Sequence, residues 1–177
     1  MSEQTSTSQN LEERITRLED IQEIGQLRAR YCQALDDGHW DALADTFTED
    51  GAFVGLSTAR GRDEMLEFFP KLNSTTVTSW WHFSSNETVD LDGDSATGTT
   101  WLLQPCVVEG ESQIAAGRYD DTMVRTANGW RFTERKVSFF FWSSLEAGWD
   151  AARFSFPPAV DAADARTVER TDHGRTV

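Results

Sequence analysis

Histidine and cysteine are scarce in this chain of 177 residues, with three copies of the first and two of the second. Cys32 and Cys106 are too few and too far apart for a disulfide scaffold or a CxxC metal site, and read as two buried thiols. A zinc or non-haem iron centre wants two or three His or Cys at local spacing, whereas His39, His82 and His173 are scattered, so neither a metal nor a cofactor is expected. Positive charge is also short: 16 Lys and Arg stand against 30 Asp and Glu, a formal net charge of −14. Nucleic acid and anionic membrane surfaces both require clustered cations, so neither is expected as a partner. No apolar run approaches the roughly 18 residues of a membrane span, and the polar start MSEQTSTSQNLEERITRLED has no signal-like apolar region, so a cytoplasmic protein is expected. There is no GxSxG, no P-loop and no GxGxxG after a strand, which removes support for nucleophilic serine, nucleotide and dinucleotide chemistry. A small molecule is the partner that remains.

What the chain has in quantity is aromatic surface, with seven Trp and eleven Phe against two Tyr. Such a composition suits one domain that holds an apolar ligand or packs against its own copy. Residues 1–10 are polar and read as a flexible N-terminus. Leu18, Ile21, Ile24, Leu27, Tyr31 and Leu35 then recur at steps of three and four, the period of a long amphipathic helix. Trp40, Leu43, Ala44 and Phe47 give a short second helix after Gly38, which TEDG stops before a strand at AFVGL. GRDEMLEFFPKL is a third helix, with Met65, Phe68, Phe69 and Leu72 on one face and Pro70 near its end. The remainder reads as about four more strands, TVTSWWHF and NETVDL leading through the turn signal DGD into a long antiparallel meander. The expected fold is α+β, a cone-shaped α+β barrel with three N-terminal helices packed on a highly curved, mostly antiparallel sheet. It spans residues 11–156. Residues 157–177, rich in Ala, Asp and Arg, form a tail that is mobile or packed on a neighbouring subunit.

Helical phase places Asp36 on the flank of the buried stripe, beside Ile21 and Cys32, and Asp37 further toward solvent. An acid at a helix end most often caps a turn or faces water, so spacing alone does not assign Asp36 a role. His82 puts an imidazole inside an otherwise aromatic strand, on the same face as Trp80; a core histidine satisfied by a backbone partner and a catalytic base are equally compatible with that. Tyr31 near the centre of the arc is a core aromatic or a polarising hydroxyl. Phe53, Trp80, Trp101 and Leu103 are candidates to line a pocket, although each residue type is more often plain core. Phe139, Phe140, Phe141 and Trp142 make a strand that is apolar on both faces, and since the helices cover only one, the other predicts a homodimer or homotrimer interface.

The order of elements and the motifs IQEIGQLRARYCQALDDGHWDALADTFTEDGAF, GRDEM, HFSSN followed by VDLDGDSATG, and GRYDDTMVRTANGWRFTERKV together resemble the SnoaL-like branch of the nuclear transport factor 2-like superfamily over residues 11–145. Among its lyases are bile acid 7α-dehydratases, hexachlorocyclohexane dehydrochlorinases and, more distantly, scytalone dehydratases. The resemblance implies a catalytic dyad of Asp36 and His82, with Tyr31 as a substrate-polarising hydroxyl. The bile acid enzymes carry an arginine on the last strand where this chain places Phe139, and Arg118 or Arg135 is the alternative cation. The expected function is therefore that of a cofactor-independent lyase, of dehydratase or dehydrohalogenase type, acting on a small apolar, aromatic or polycyclic substrate. An isomerase or polyketide cyclase would use the same dyad, and a non-catalytic ligand-binding or dioxygenase small-subunit-like protein is the alternative of another class.

Overall fold

A computed structural model describes residues 2–75 and 77–146. Three helices, α1 (Ser2–Asp37), α2 (Trp40–Ala44) and α3 (Gly61–Thr75), pack on a sheet of seven strands among the described residues. The strands are β1 (Phe47–Val54), β2 (Thr58–Arg60), β3 (Val77–Trp80), β4 (Phe83–Asp92), β5 (Ser95–Val108), β6 (Glu111–Thr126) and β7 (Gly129–Ser144). They run in the order β2-β1-β7-β6-β5-β3, with β4 also on β5, and the sheet curls into the α+β cone the sequence predicts. The sheet is mixed rather than wholly antiparallel, because β1 lies parallel to β7.

Several boundaries differ from the sequence reading, each for a local reason. Helix α1 starts at Ser2, since nothing in residues 2–10 breaks a helix. TEDG lies within β1, in the stretch where the register with β7 shifts between Phe47 and Ala52. Two strands rather than one lie between α2 and α3, because β2 has only three residues and pairs back on β1. Five strands rather than four follow α3, since TVTSWWHF and NETVDL are divided at residues 81–82 into β3 and β4. The tail from residue 157 lies outside the described residues.

The core arc of α1, with Ile24, Leu27, Tyr31 and Leu35 all buried, begins later than expected. Leu18 and Ile21 are exposed, because about 100° per residue turns Leu18 well away from the Ile24 face. What docks this stretch instead is Asp20, which accepts hydrogen bonds from Arg125 Nη2 (2.7 Å) and Trp130 Nε1 (3.1 Å). The Arg125 hydrogen bond holds the Asp20 carboxyl below the usual carboxylate range, against the effect of burial. A carboxylate with a depressed folded pKa stabilises the protein above its ordinary value of about 4, and that contribution is lost as pH falls through the folded value. Asp20→Asn is therefore expected to cost about 1–2 kcal/mol near neutrality and to flatten the acid limb of the stability curve, measured by urea unfolding from pH 7 to pH 3. An unchanged acid limb would remove Asp20 from the account.

At its other end α1 is closed by Gly38, whose φ of +70° suits a residue without Cβ. His39 N donates to Ala34 O at 2.8 Å, the bond that completes a Schellman turn. Asp36 and Asp37 thus occupy the last turn, with no basic residue there, at the negative end of the helix dipole. Helix stability alone disfavours acids at this position.

Candidate active site

The strands β3 and β4 lie end to end along one edge of β5, and their register runs on through the gap, from Trp80 opposite Cys106 to Phe83 opposite Leu103. The gap coincides with Pro105. Trp81 N donates to Pro105 O at 3.1 Å, but proline has no N–H to return. His82 therefore lies outside both strands, not inside one as expected. Two-residue alternation still holds across the gap: Trp80 and His82 both line the pocket described below, while Trp81 between them is exposed.

Asp36 reaches His82 twice. Its Oδ2 accepts the His82 backbone N–H at 3.0 Å, and its Oδ1 lies 2.5 Å from Nδ1 of the ring. The His82 side chain is 4% exposed and that of Asp36 19%. Because a carboxylate only accepts, this contact assigns the neutral ring's proton to Nδ1 and leaves Nε2 as the basic nitrogen. No described residue makes a hydrogen bond to Nε2. Asp37 is exposed, so the two adjacent acids differ as helical phase anticipates.

His82 opens onto a pocket that is partly open to solvent. Apolar side chains from every layer form most of the wall, including Leu35, Phe53, Phe68, Trp80, Val137 and Phe139. The polar groups are few: Tyr31, His82, Gln104 and Tyr119. Among the described residues, no carboxylate and no Lys or Arg belongs to the wall. The hydroxyl of Tyr31 is buried without a hydrogen-bond partner. Burial raises the Tyr31 phenol above its ordinary pKa, opposed chiefly by Arg135, and burial likewise raises Tyr119 well above its own. Burial likewise raises the Cys32 thiol and pushes Cys106 up to about 11, so both are protonated at neutral pH and neither is an activated nucleophile.

Of the residues singled out in the sequence, Tyr31, Phe53, Trp80, His82 and Phe139 line this pocket, and Asp36 supports it from behind. Trp101, Leu103 and Arg118 do not. On β5 the buried phase is even-numbered, through Thr100, Leu102, Gln104 and Cys106, which turns Trp101 and Leu103 to the outer surface, 42% and 41% exposed. On β6 the buried phase is odd-numbered, and Arg118 pairs instead with Asp120, Nε to Oδ1 at 3.0 Å. Arg135 is buried in the core and is not part of the wall. Gln104 and Tyr119 were missed. A polar residue on the buried phase of β5, counted from Ala96, was the available signal for Gln104.

Phe139 and Trp142 both face inward, although three residues apart, because a bulge opposite Ala116 and Gly117 resets the alternation of β7.

Residues 16–136 match the model of the SnoaL-like domain. The chain belongs to the SnoaL-like domain family. Two relatives within reach of sequence comparison, the uncharacterized proteins Rv2910c of Mycobacterium tuberculosis and Mb2934c of Mycobacterium bovis, are each 31% identical over 130 residues, covering 68% of this chain and 86% of theirs. An NTF2-like protein with a cystatin-like fold from Novosphingobium aromaticivorans is 29% identical, with a TM-score of 0.63 over 82% of this chain and 97% of that one. The hexachlorocyclohexane dehydrochlorinase LinA-type3 from Novosphingobium barchaimii shares the fold at 18% identity, with a TM-score of 0.70 over 81% and 99% of the two chains. As a SnoaL-like domain the chain has a fold that also carries an elimination enzyme. Among the described residues, no helix is long and apolar enough to cross a membrane.

Proposed function

We propose that this SnoaL-like protein is a lyase that needs no cofactor, eliminating water or hydrogen halide from a small, neutral, largely apolar substrate. The observation that carries the reading is the Asp36–His82 pair, with His82 Nε2 unbonded and its ring in the wall of an apolar pocket. Nε2 takes a proton from a substrate carbon, the C–H electron pair becomes the new C=C bond, and the leaving group departs with the electrons of its own bond. Asp36 holds the Nδ1–H tautomer and stabilises the imidazolium that forms. Tyr31, with a hydroxyl that the protein leaves unbonded, donates to the leaving group or to an adjacent carbonyl oxygen. In a dehydration the imidazolium returns its proton to the departing hydroxide, and in a dehydrohalogenation it releases the proton to solvent. Among the described residues the wall has no fixed charge, which favours a neutral ring over a phosphorylated or carboxylated substrate, since such an anion would be desolvated without a partner.

The test is mass spectrometry of product after incubation with a panel of neutral hydroxylated and halogenated cyclic compounds in deuterated water. Loss of water or hydrogen halide supports elimination. Deuterium gained without loss of a group means that the dyad isomerises or cyclises instead, and neither change with any compound leaves a binding protein.

We also propose that a second copy of the chain covers the outer face of the sheet. Phe83 and Leu103 are opposite one another across β4 and β5, Trp101 is next on the same face, and its ring packs 5.6 Å from that of Phe140. Phe83, Trp101 and Leu103 are 61%, 42% and 41% exposed, a contiguous apolar surface where an antiparallel sheet facing water is ordinarily polar. Sedimentation velocity is expected to show a dimer or trimer, and Trp101→Glu with Leu103→Glu a monomer. A monomeric wild type would refute this assignment.

A further inference from the structure

Arg135 on β7 is fully buried, and none of its three guanidinium nitrogens makes a hydrogen bond. Its Cζ lies 3.9 Å from the ring centroid of Tyr119, 4.3 Å from that of Tyr31 and 4.7 Å from that of Phe132. The nearest counter-charge is Asp121, with Oδ1 at 3.5 Å from Nε. Asp121 is already engaged, since its Oδ2 accepts Arg28 Nε at 2.9 Å, and Arg28 is itself fully buried. The other carboxylate on Arg28, Glu87, is at the rim with a side chain 36% exposed. Two buried guanidinium groups therefore share one buried carboxylate, and positive charge is in excess at this point of a chain whose net charge is −14.

Stability does not account for this arrangement. A buried cation without hydrogen bonds forfeits its solvation, and an apolar side chain of similar volume is often at least as stable there. What distinguishes the position is its neighbours: the rings that Arg135 stacks on include both tyrosines of the chain, and both line the pocket. A cation over the face of a phenol is attracted by the ring's electrons and withdraws them, which strengthens the hydroxyl as a hydrogen-bond donor. Among the described residues the pocket wall has no cation of its own, so positive potential reaches it from behind, through Tyr31 and Tyr119.

We propose that Arg135 is a positioning residue of the site, acting through Tyr31 and Tyr119 to stabilise negative charge that develops on a bound substrate or its leaving group. The proposal rests on the pocket being the site of the reaction described above. The other charged or titratable groups acting on Tyr31 are Asp121, Cys32 and Asp36, and those acting on Tyr119 include Asp121 and Cys32; all of these oppose Arg135. Removing the arginine should therefore take away the charge that favours ionisation of both phenols.

With two tyrosines in the sequence, uniform replacement by 3,5-difluorotyrosine installs two reporters in the full-length protein, each titratable by fluorine NMR. Arg135→Gln is expected to raise the ionisation midpoint of at least one phenol by about one pH unit, a tenfold change, while Arg135→Lys, which keeps the charge, leaves both close to wild type. Equal shifts in the two variants, or none in either, would mean that Arg135 only fills space. Should Arg135→Gln not fold, a second measurement needs no Arg135 variant. 4-Nitrophenol, whose absorbance reports its own ionisation, is added to the His82→Ala protein at about one pH unit below its free midpoint. Binding as the yellow phenolate supports the proposal; binding as the neutral phenol, or no binding at millimolar probe, overturns it. Because His82 is absent from that experiment, a pocket that ionises the probe, beside a wild-type protein that eliminates nothing from the substrate panel, would refute the lyase reading and leave the role of Arg135 standing.

Discussion

His82→Ala is expected to lower kcat/KM on an identified substrate by about 10²–10⁴-fold, the usual contribution of a positioned general base. Asp36→Asn should come close to the same loss by a different route. An asparagine presenting its oxygen to the His82 main chain would turn its amide nitrogen toward Nδ1, favouring the tautomer in which Nε2 carries the proton and cannot accept another. The double variant should be little worse than either single one, because the two residues act as a unit. Asp36 stands at the unfavourable end of the helix dipole, so losing its charge should cost the helix nothing and cost the fold only the charge assistance of its two hydrogen bonds. Thermal unfolding measured beside the kinetics separates a lost base from a lost fold. Near-native turnover in a folded His82→Ala would refute the dyad.

How much of this was readable beforehand depends on what kind of signal each residue leaves. The choice of Asp36 over Asp37 follows from helical phase, which needs one element and no neighbours. The contact with His82 does not: it depends on the Pro105 gap in the β3 and β4 ladder and on the Schellman turn at Gly38, three separate segments brought together by the curl of the sheet. Pocket residues were missed or misassigned where strand phase decided the matter. Trp101 and Leu103 are large and apolar and look like core, but one residue of phase on β5 turns them outward and turns Gln104 in. In the same way, no periodicity in the sequence of β7 reveals the bulge that brings Phe139 and Trp142 to one face. The parallel pairing of β1 with β7 joins residues more than eighty positions apart, and local sequence has no means of recording it.

Arg28 was invisible for a further reason: a basic residue in a helix is expected at the surface, and this one is fully buried. Gly98 makes its place, since a Cβ there would lie 2.7 Å from Arg28 Nη2 and 2.1 Å from Thr88 O. Three nitrogens are satisfied by three groups: Nε by Asp121 at 2.9 Å, Nη1 by Glu87 at 3.2 Å and Nη2 by the Thr88 carbonyl at 3.2 Å. Arg28→Met keeps much of the volume but leaves Asp121 buried with only the long contact to Arg135. The expected loss is about 3–5 kcal/mol of unfolding free energy, read as a fall in the urea midpoint at unchanged m-value. Adding Asp121→Asn to Arg28→Met should give back little, because it strips Arg135 of its nearest counter-charge as it relieves the stranded carboxylate. Adding Arg135→Met as well removes all three charges together and should recover much of the stability, since an apolar replacement of a whole buried ionic cluster is often neutral or better. A loss below about 1 kcal/mol for Arg28→Met alone would show that the cluster is well solvated, and the excess positive charge behind the tyrosines would then be too weakly felt to act on the pocket.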